Sequence, residues 1–242
     1  EIVGIDPRIG GHFDLAFDPV KMSQLVVGAL AFLRGDVQTA RTVMNRTYTL
    51  EQVRESIRLR NQRELGPFFT PGFPLALPLK HAVRVSSFDG PPTGSFADLN
   101  ENPVTSDTGE LSWWLGEDKT GLVVVDTPRW QAVVGYCRAL AKGAKNLRVE
   151  VTNPFCAITL TAMDEKPVTD SQRLLLTACS QVANQGQVWN ADRTSLEDWG
   201  KSPTVIEPVK GTATLSGINA EQISVQALDG QGRPVGAPVL AE

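Results

Sequence analysis

Gly121-Leu122-Val123-Val124-Val125-Asp126-Thr127, followed after Pro128 by Ala132-Val133-Val134-Gly135-Tyr136-Cys137, sets the β character of the chain. Both runs are β-branched, too short for helices, and separated by a turn that Asp126 before Thr127-Pro128 is suited to form. Reading outward toward the C-terminus, similar runs recur at 146–152, 155–163, 173–180, 187–190, 204–209, 212–216, 222–228 and 234–240. Toward the N-terminus they recur at 111–115 and 82–88. Turn chemistry separates many of them: Gly116-Glu117-Asp118-Lys119, Asp164-Glu165-Lys166-Pro167 and Asp229-Gly230-Gln231-Gly232. Many short strands with regularly spaced turns predict an antiparallel β-sandwich or barrel, and no βαβ alternation is visible after residue 81.

The first 65 residues read differently. Asp18-Pro19 is a helix start: the carboxylate accepts an N-terminal amide, and proline at the first helical position loses no needed donor. The run that follows, to Arg34, is apolar almost all round, with Val20, Met22, Leu25, Val26, Val27, Leu30, Phe32 and Leu33. Such a helix is expected to be buried on most sides, and Gly35 suits the left-handed cap that ends it. Thr49-Leu50-Glu51-Gln52 is a capping box that opens a second, polar helix to about residue 64. Pro67, Pro71, Pro74 and Pro78, between Phe68, Phe69 and Phe73, make 66–78 a loop that is neither helix nor central strand. The predicted class is therefore mainly β with N-terminal helices (α+β), with helices and linker in 1–80 and the strand domain in 81–242.

Composition narrows the function. With 23 Lys+Arg against 27 Asp+Glu the net charge is −4, so neither nucleic acid nor an anionic membrane is an expected partner. No apolar run reaches the roughly 18 residues of a membrane span. Cys137, Cys156 and Cys179 sit among apolar or small residues and read either as buried free thiols or as a Cys156–Cys179 bridge with one thiol left over. CxxC and HExxH are absent and the 2 histidines lie far apart, so no zinc site is expected. Asp98, Asn100 and Asn102 alternate as calcium loops do, but Pro103 and Gly109 stand where an EF-hand needs Gly and Glu. No metal or other cofactor is expected.

Two segments together resemble a known family. Phe13-Asp14-Leu15-Ala16, Asp18-Pro19-Val20-Lys21-Met22 and Phe32-Leu33-Arg34-Gly35-Asp36-Val37 resemble the last β/α unit of (β/α)8-barrel glycoside hydrolases of the retaining, paired-carboxylate kind. Residues 160–167, 171–177 and 184–190 (LTAMDEKP, SQRLLLT and NQGQVWN) are similar to the β-sandwich that trails such barrels in large bacterial polysaccharide-degrading enzymes. Residues 102–110 and 125–129 also fit that domain. The resemblance implies an antiparallel β-sandwich after a helical remnant of a barrel, a secreted or periplasmic location and a carbohydrate substrate. It also implies that the remaining barrel, on the same or a companion polypeptide, is the partner that holds the acid/base and nucleophile. The competing reading is a stand-alone, non-catalytic β-sandwich that binds carbohydrate or is structural.

Retaining hydrolysis needs two carboxyl groups about 5–5.5 Å apart. Asp14, Asp18, Asp36, Glu110, Asp118 and Asp126 are available, but spacing singles out no pair, and none is assigned as catalytic. Loops after barrel strands lie on the catalytic face, so His12, Phe13 and Asp14 are candidate substrate contacts; the plain alternative is a solvated loop histidine beside a buried Phe. Trp114 and Trp130 are candidate sugar platforms, against core or interface packing for each tryptophan. Adjacent strand positions face opposite ways, so one of Trp113 and Trp114 is expected in the core. Trp189 and Trp199 are expected to pin the Asn190–Arg193 loop. There is no GxSxG for serine-histidine catalysis.

Overall fold

In the computed structural model, residues 18–59, 74, 76–117, 120–218 and 223–240 are described. The chain divides into two compact units, Glu1–Val37 with Gly116–Glu242, and Gln38–Leu115. The first element, α1 (Pro19–Arg34), follows local rules at both ends. Asp18 Oδ1 accepts from Val20 N at 3.0 Å and Lys21 N at 2.9 Å. Gly35 takes the left-handed conformation (φ 61°), and Asp36 N donates back to Ala31 O at 2.9 Å. Among the described residues, burial on most sides is not what the helix shows. Val27 and Ala31 are buried, while Met22, Leu25, Val26, Phe32 and Leu33 are exposed, Phe32 to 86%.

The unit Gln38–Leu115 holds a feature not read from the sequence. Strand β1 (Val43–Thr47) pairs in parallel with β2 (Ala82–Ser87), and the crossover between them carries α2 (Leu50–Leu59) and α3 (Leu77–Lys80). The capping box forms: Thr49 N donates to Gln52 Oε1 at 3.0 Å and Gln52 N to Thr49 Oγ1 at 3.1 Å. The short helix α3 corrects the all-loop reading of 66–78, because Pro78 sits in its first turn, where no amide donor is needed. The expected loop at 66–73 lies outside the described residues. Strand β3 (Val104–Thr105) pairs antiparallel with β4 (Leu111–Leu115).

In the other unit the stretch around residue 130 forms the centre. Strands β5 (Gly121–Asp126) and β6 (Trp130–Gly135) make a tight hairpin in which Thr127 N donates to Trp130 O and Trp130 N to Thr127 Oγ1. Trp130 and Gln131 are thus strand residues rather than turn. Further on, β7 (Leu147–Val151) is followed by β8 (Cys156–Ala162) and β9 (Leu174–Cys179), and β8 pairs antiparallel with both β6 and β9. Except for Ala157, every residue of β8 is buried, so this strand is covered on both faces. On one face lies α1: Gln24 Nε2 donates to Thr177 Oγ1 at 3.0 Å, and Ser23 Oγ lies 3.2 Å from Cys179 Sγ.

Strands β10 (Val182–Gln185), β11 (Val188–Trp189), β12 (Leu196–Asp198), β13 (Lys201–Ile206) and β14 (Gly211–Leu215) follow. The pairs β10–β13, β11–β12 and β7–β14 are all antiparallel. Gln131 of β6 ties the central sheet to the β7–β14 pair. Its Nε2 donates to Asn146 Oδ1, Asn146 N donates back to its Oε1, each at 3.0 Å, and Asn146 Nδ2 donates to Ser216 O. An exposed hairpin, β15 (Ser224–Leu228) with β16 (Pro234–Leu240), completes the described chain. The fold is mainly β, with several antiparallel sheets and few helices. Among the described residues nothing builds a barrel unit around α1, which lies instead on an antiparallel sheet. No helix among them is long and apolar enough to cross a membrane.

Candidate functional site

His12, Phe13 and Asp14 lie outside the described residues. Trp114 stands on β4 in the unit Gln38–Leu115, and Trp130 on β6 in the other, both half-buried. The indole N–H groups of Trp113 and Trp130 are buried with no hydrogen-bond acceptor. Trp113 and Trp114 are sheltered to a similar degree, rather than one in the core and one outside.

The described candidate carboxylates each have a structural task. Asp18 caps α1 and is 1% exposed. Glu110 Oε2 accepts from Gln38 N at 2.8 Å. Asp126 accepts from Gln131 Nε2 at 3.0 Å and Lys145 N at 3.2 Å. Asp118 and Asp14 lie outside the described residues. Asp36, 4% exposed, is the centre of a clamp. Arg34 donates to Asp36 Oδ2 through Nε at 3.0 Å and Nη2 at 2.5 Å, and through Nη1 to Ala162 O at 2.6 Å. From the turn between β5 and β6, Arg129 Nε lies 2.7 Å from Asp36 Oδ1, an ion pair without hydrogen-bond alignment, and Nη2 donates to Arg34 O. Glu165 Oε2 meets Arg129 Nη1 at 2.7 Å. The Arg34-Gly35-Asp36 phrase therefore fastens the end of α1 to two turns of the sheet, with the carboxylate ion-paired to both Arg34 and Arg129.

In the unit Gln38–Leu115, Asp107 gathers three donors: Arg41 N at 2.9 Å, Thr42 N at 2.8 Å and the His81 ring, whose Nδ1 lies 2.9 Å from Oδ2. The His81 hydrogen bond first, then the Arg41 amide, holds this carboxyl at about 2. A carboxyl held below its unfolded value of about 3.9 stabilises the fold above that pH. That contribution is lost as pH falls from about 4 towards 2. Acid titration followed by tryptophan emission should therefore show a transition in this window that Asp107→Asn reduces. Superimposable acid profiles for the two proteins would show that Asp107 plays no part in acid stability.

The three cysteines are free and buried, so no Cys156–Cys179 bridge forms. Burial, then the neighbouring Cys137, pushes the Cys156 thiol up to about 11, and burial raises Cys137. Such thiols are poor nucleophiles. A disulfide reagent should modify none of them in the folded chain and all of them in denaturant; fast labelling of the native protein would contradict this burial. Among the described residues no group of His, Cys, Asp or Glu is arranged to hold a metal ion.

Trp189 and Trp199, expected to pin the Asn190–Arg193 loop, are left 40% and 47% exposed. Comparison with protein-family models, curated proteins and solved structures finds no match for this chain.

Proposed function

We propose that this chain is the C-terminal part of a retaining glycoside hydrolase acting on poly- or oligosaccharides outside the bacterial cytoplasm. Its strands form a β-sandwich that is the structural companion of a (β/α)8 barrel, and the catalytic carboxylates stand on barrel strands before Glu1. His12, Phe13 and Asp14 would line the mouth of that barrel. The resemblance of the α1 and β8–β9 segments supplies the family. The observation that carries the reading is the double-sided character of α1. Its inner face lies on β9, whereas Met22, Leu25, Val26, Phe32 and Leu33 make a second apolar stripe at helical spacing. A helix apolar on both faces suits a position between two layers, and Phe32 and Leu33 at 86% and 79% exposure leave the second layer to be supplied.

The reading is tested on the polypeptide as its source cell makes it. Its intact mass should exceed that of these 242 residues, and it should hydrolyse aryl glycosides that the 242-residue chain leaves untouched. A native polypeptide of this length alone would favour the second reading, a non-catalytic carbohydrate-binding or structural module. One observation supports that alternative: Asp18, Asp36, Glu110 and Asp126 all serve structure.

A further inference from the structure

Strand β9 ends the central sheet, with β8 on one side and, among the described residues, no strand on the other. The pairing fixes which of its main-chain groups face outward. Ala162 N donates to Arg129 O, towards β6, and Met163 N donates to Arg173 O, towards β9. These directions alternate along an antiparallel strand, so Leu175, Thr177 and Cys179 bond to β8. The N–H and C=O groups of Leu174, Leu176 and Ala178 therefore face away from it, and among the described residues no main-chain partner meets them. Leu176 is 44% exposed, and Ala178 is exposed beside it. Other open-edged strands carry residues that discourage a further strand. Strand β13 has Lys201 and Pro203, and β16 has Pro234, Pro238 and a shifted register. Strand β9 has none of these: from Leu174 to Cys179 it holds no charge and no proline, and its register against β8 is unbroken.

We infer that this edge docks a second copy of the chain, the two β9 strands pairing antiparallel about a two-fold axis at Leu176. The occupant must itself be a strand, because main chain alone repeats donors and acceptors at the spacing of Leu174, Leu176 and Ala178. Strand β9 fits its own edge. Pairing centred on Leu176 sets Leu174 opposite Ala178 of the second copy, Leu176 opposite its own counterpart, and Ala178 opposite Leu174. A large side chain thus meets a small one on either side of the central pair, and the exposed part of Leu176 is covered by its equivalent. The three outward positions exchange about six main-chain hydrogen bonds. The paired stretch brings no charge to the two-fold, so no like-charge opposition works against it. The inference goes beyond the hydrolase reading and does not depend on it, since the contact uses the main chain of β9 and not the outer stripe of α1.

Sedimentation equilibrium of the 242-residue chain should show a reversible dimer, its mass rising with concentration towards twice 26.2 kDa. Leu176→Lys and Leu176→Glu each set like charges opposite one another about the two-fold, and each should weaken dimerisation about tenfold or more. An equimolar mixture of the two should dimerise again, because the axis then sets opposite charges face to face. Ala178→Pro removes an outward N–H that a single chain does not use, and should also weaken the dimer about tenfold. Circular dichroism and melting curves establish that each variant is folded, and Ala178→Pro decides if the Leu176 variants are not. A wild-type chain that stays monomeric up to about 500 μM overturns the inference. A dimer that survives both Leu176→Lys and Ala178→Pro also overturns it, and loss of that dimer in Phe32→Lys would place the contact on α1 instead. Failure of the two Leu176 variants to recombine overturns the two-fold pairing.

Discussion

Replacing Asp36 with alanine is expected to cost about 3–5 kcal/mol, because it leaves two guanidinium groups without the carboxylate that neutralises them. Arg34 keeps its hydrogen bond to Ala162 O, but its Nε and Nη2 lose their acceptor in a site where the side chain is 9% exposed. Arg129 retains Glu165, an exposed partner, and loses the buried one. The consequence spreads from side chain to element: the αL turn at Gly35 and the last turn of α1 lose their fastening to the sheet. Urea unfolding monitored by circular dichroism measures the loss directly. Asp36→Asn should recover only part of it, since an amide can accept from Arg34 but brings no charge. A loss below about 1 kcal/mol for the alanine variant would show that α1 is held by its apolar contacts alone.

Gly135→Val is expected to be of similar size, about 3 kcal/mol or more, for a purely steric reason. Gly135 ends β6 at φ 132°, a backbone conformation that side chains rarely adopt, and a Cβ there would run into the carbonyl oxygen of Gly121 on the paired strand. That same oxygen accepts from Tyr136 N at 2.8 Å, so the neighbour cannot withdraw without breaking the β5–β6 pair. Gly28 provides the contrast. It lies inside α1, exposed, with nothing within 4 Å of the place an added methyl would occupy, and Gly28→Ala should stabilise by about 0.5–1 kcal/mol. Opposite signs for the two substitutions are required; a neutral Gly135→Val would mean that β5 and β6 do not approach this closely.

What was legible in the sequence was local. Asp18, Pro19 and Gly35 mark the ends of α1 to the residue, and the Thr49–Gln52 box opens α2, because caps act over three or four positions. Strands β4, β5, β8 and β9 stand out by their apolar, β-branched runs. Strand β1 did not, because Asn45 and Arg46 are polar. Arg46 is nonetheless buried, donating to Gly94 O at 2.7 Å and lying over the Tyr48 ring, partners that no short window contains. Strand β13 runs over Lys201–Ile206 rather than the expected 204–209, with Pro203 inside it. Pairings such as β7 with β14 join distant segments and carry no local signature. The candidate site divides the same way. Arg34-Gly35-Asp36 was visible as a phrase, but its role needed Arg129 and Glu165, which come from two later turns. Trp189 and Trp199 were read as packing because exposure is set by what the rest of the chain leaves uncovered, not by the residue.

The proposal that the chemistry lies outside these 242 residues, on a barrel carried by the same or a companion polypeptide, is open to covalent trapping. The native protein is treated with a panel of 2-deoxy-2-fluoro glycosides, which leave a retaining nucleophile glycosylated, and the labelled peptide is located by mass spectrometry. The expected result is a single labelled Asp or Glu in a peptide absent from these 242 residues, on the polypeptide that carries them or on a chain that co-purifies with it. Label on a carboxylate within 1–242, or no label anywhere in an active preparation, would contradict it.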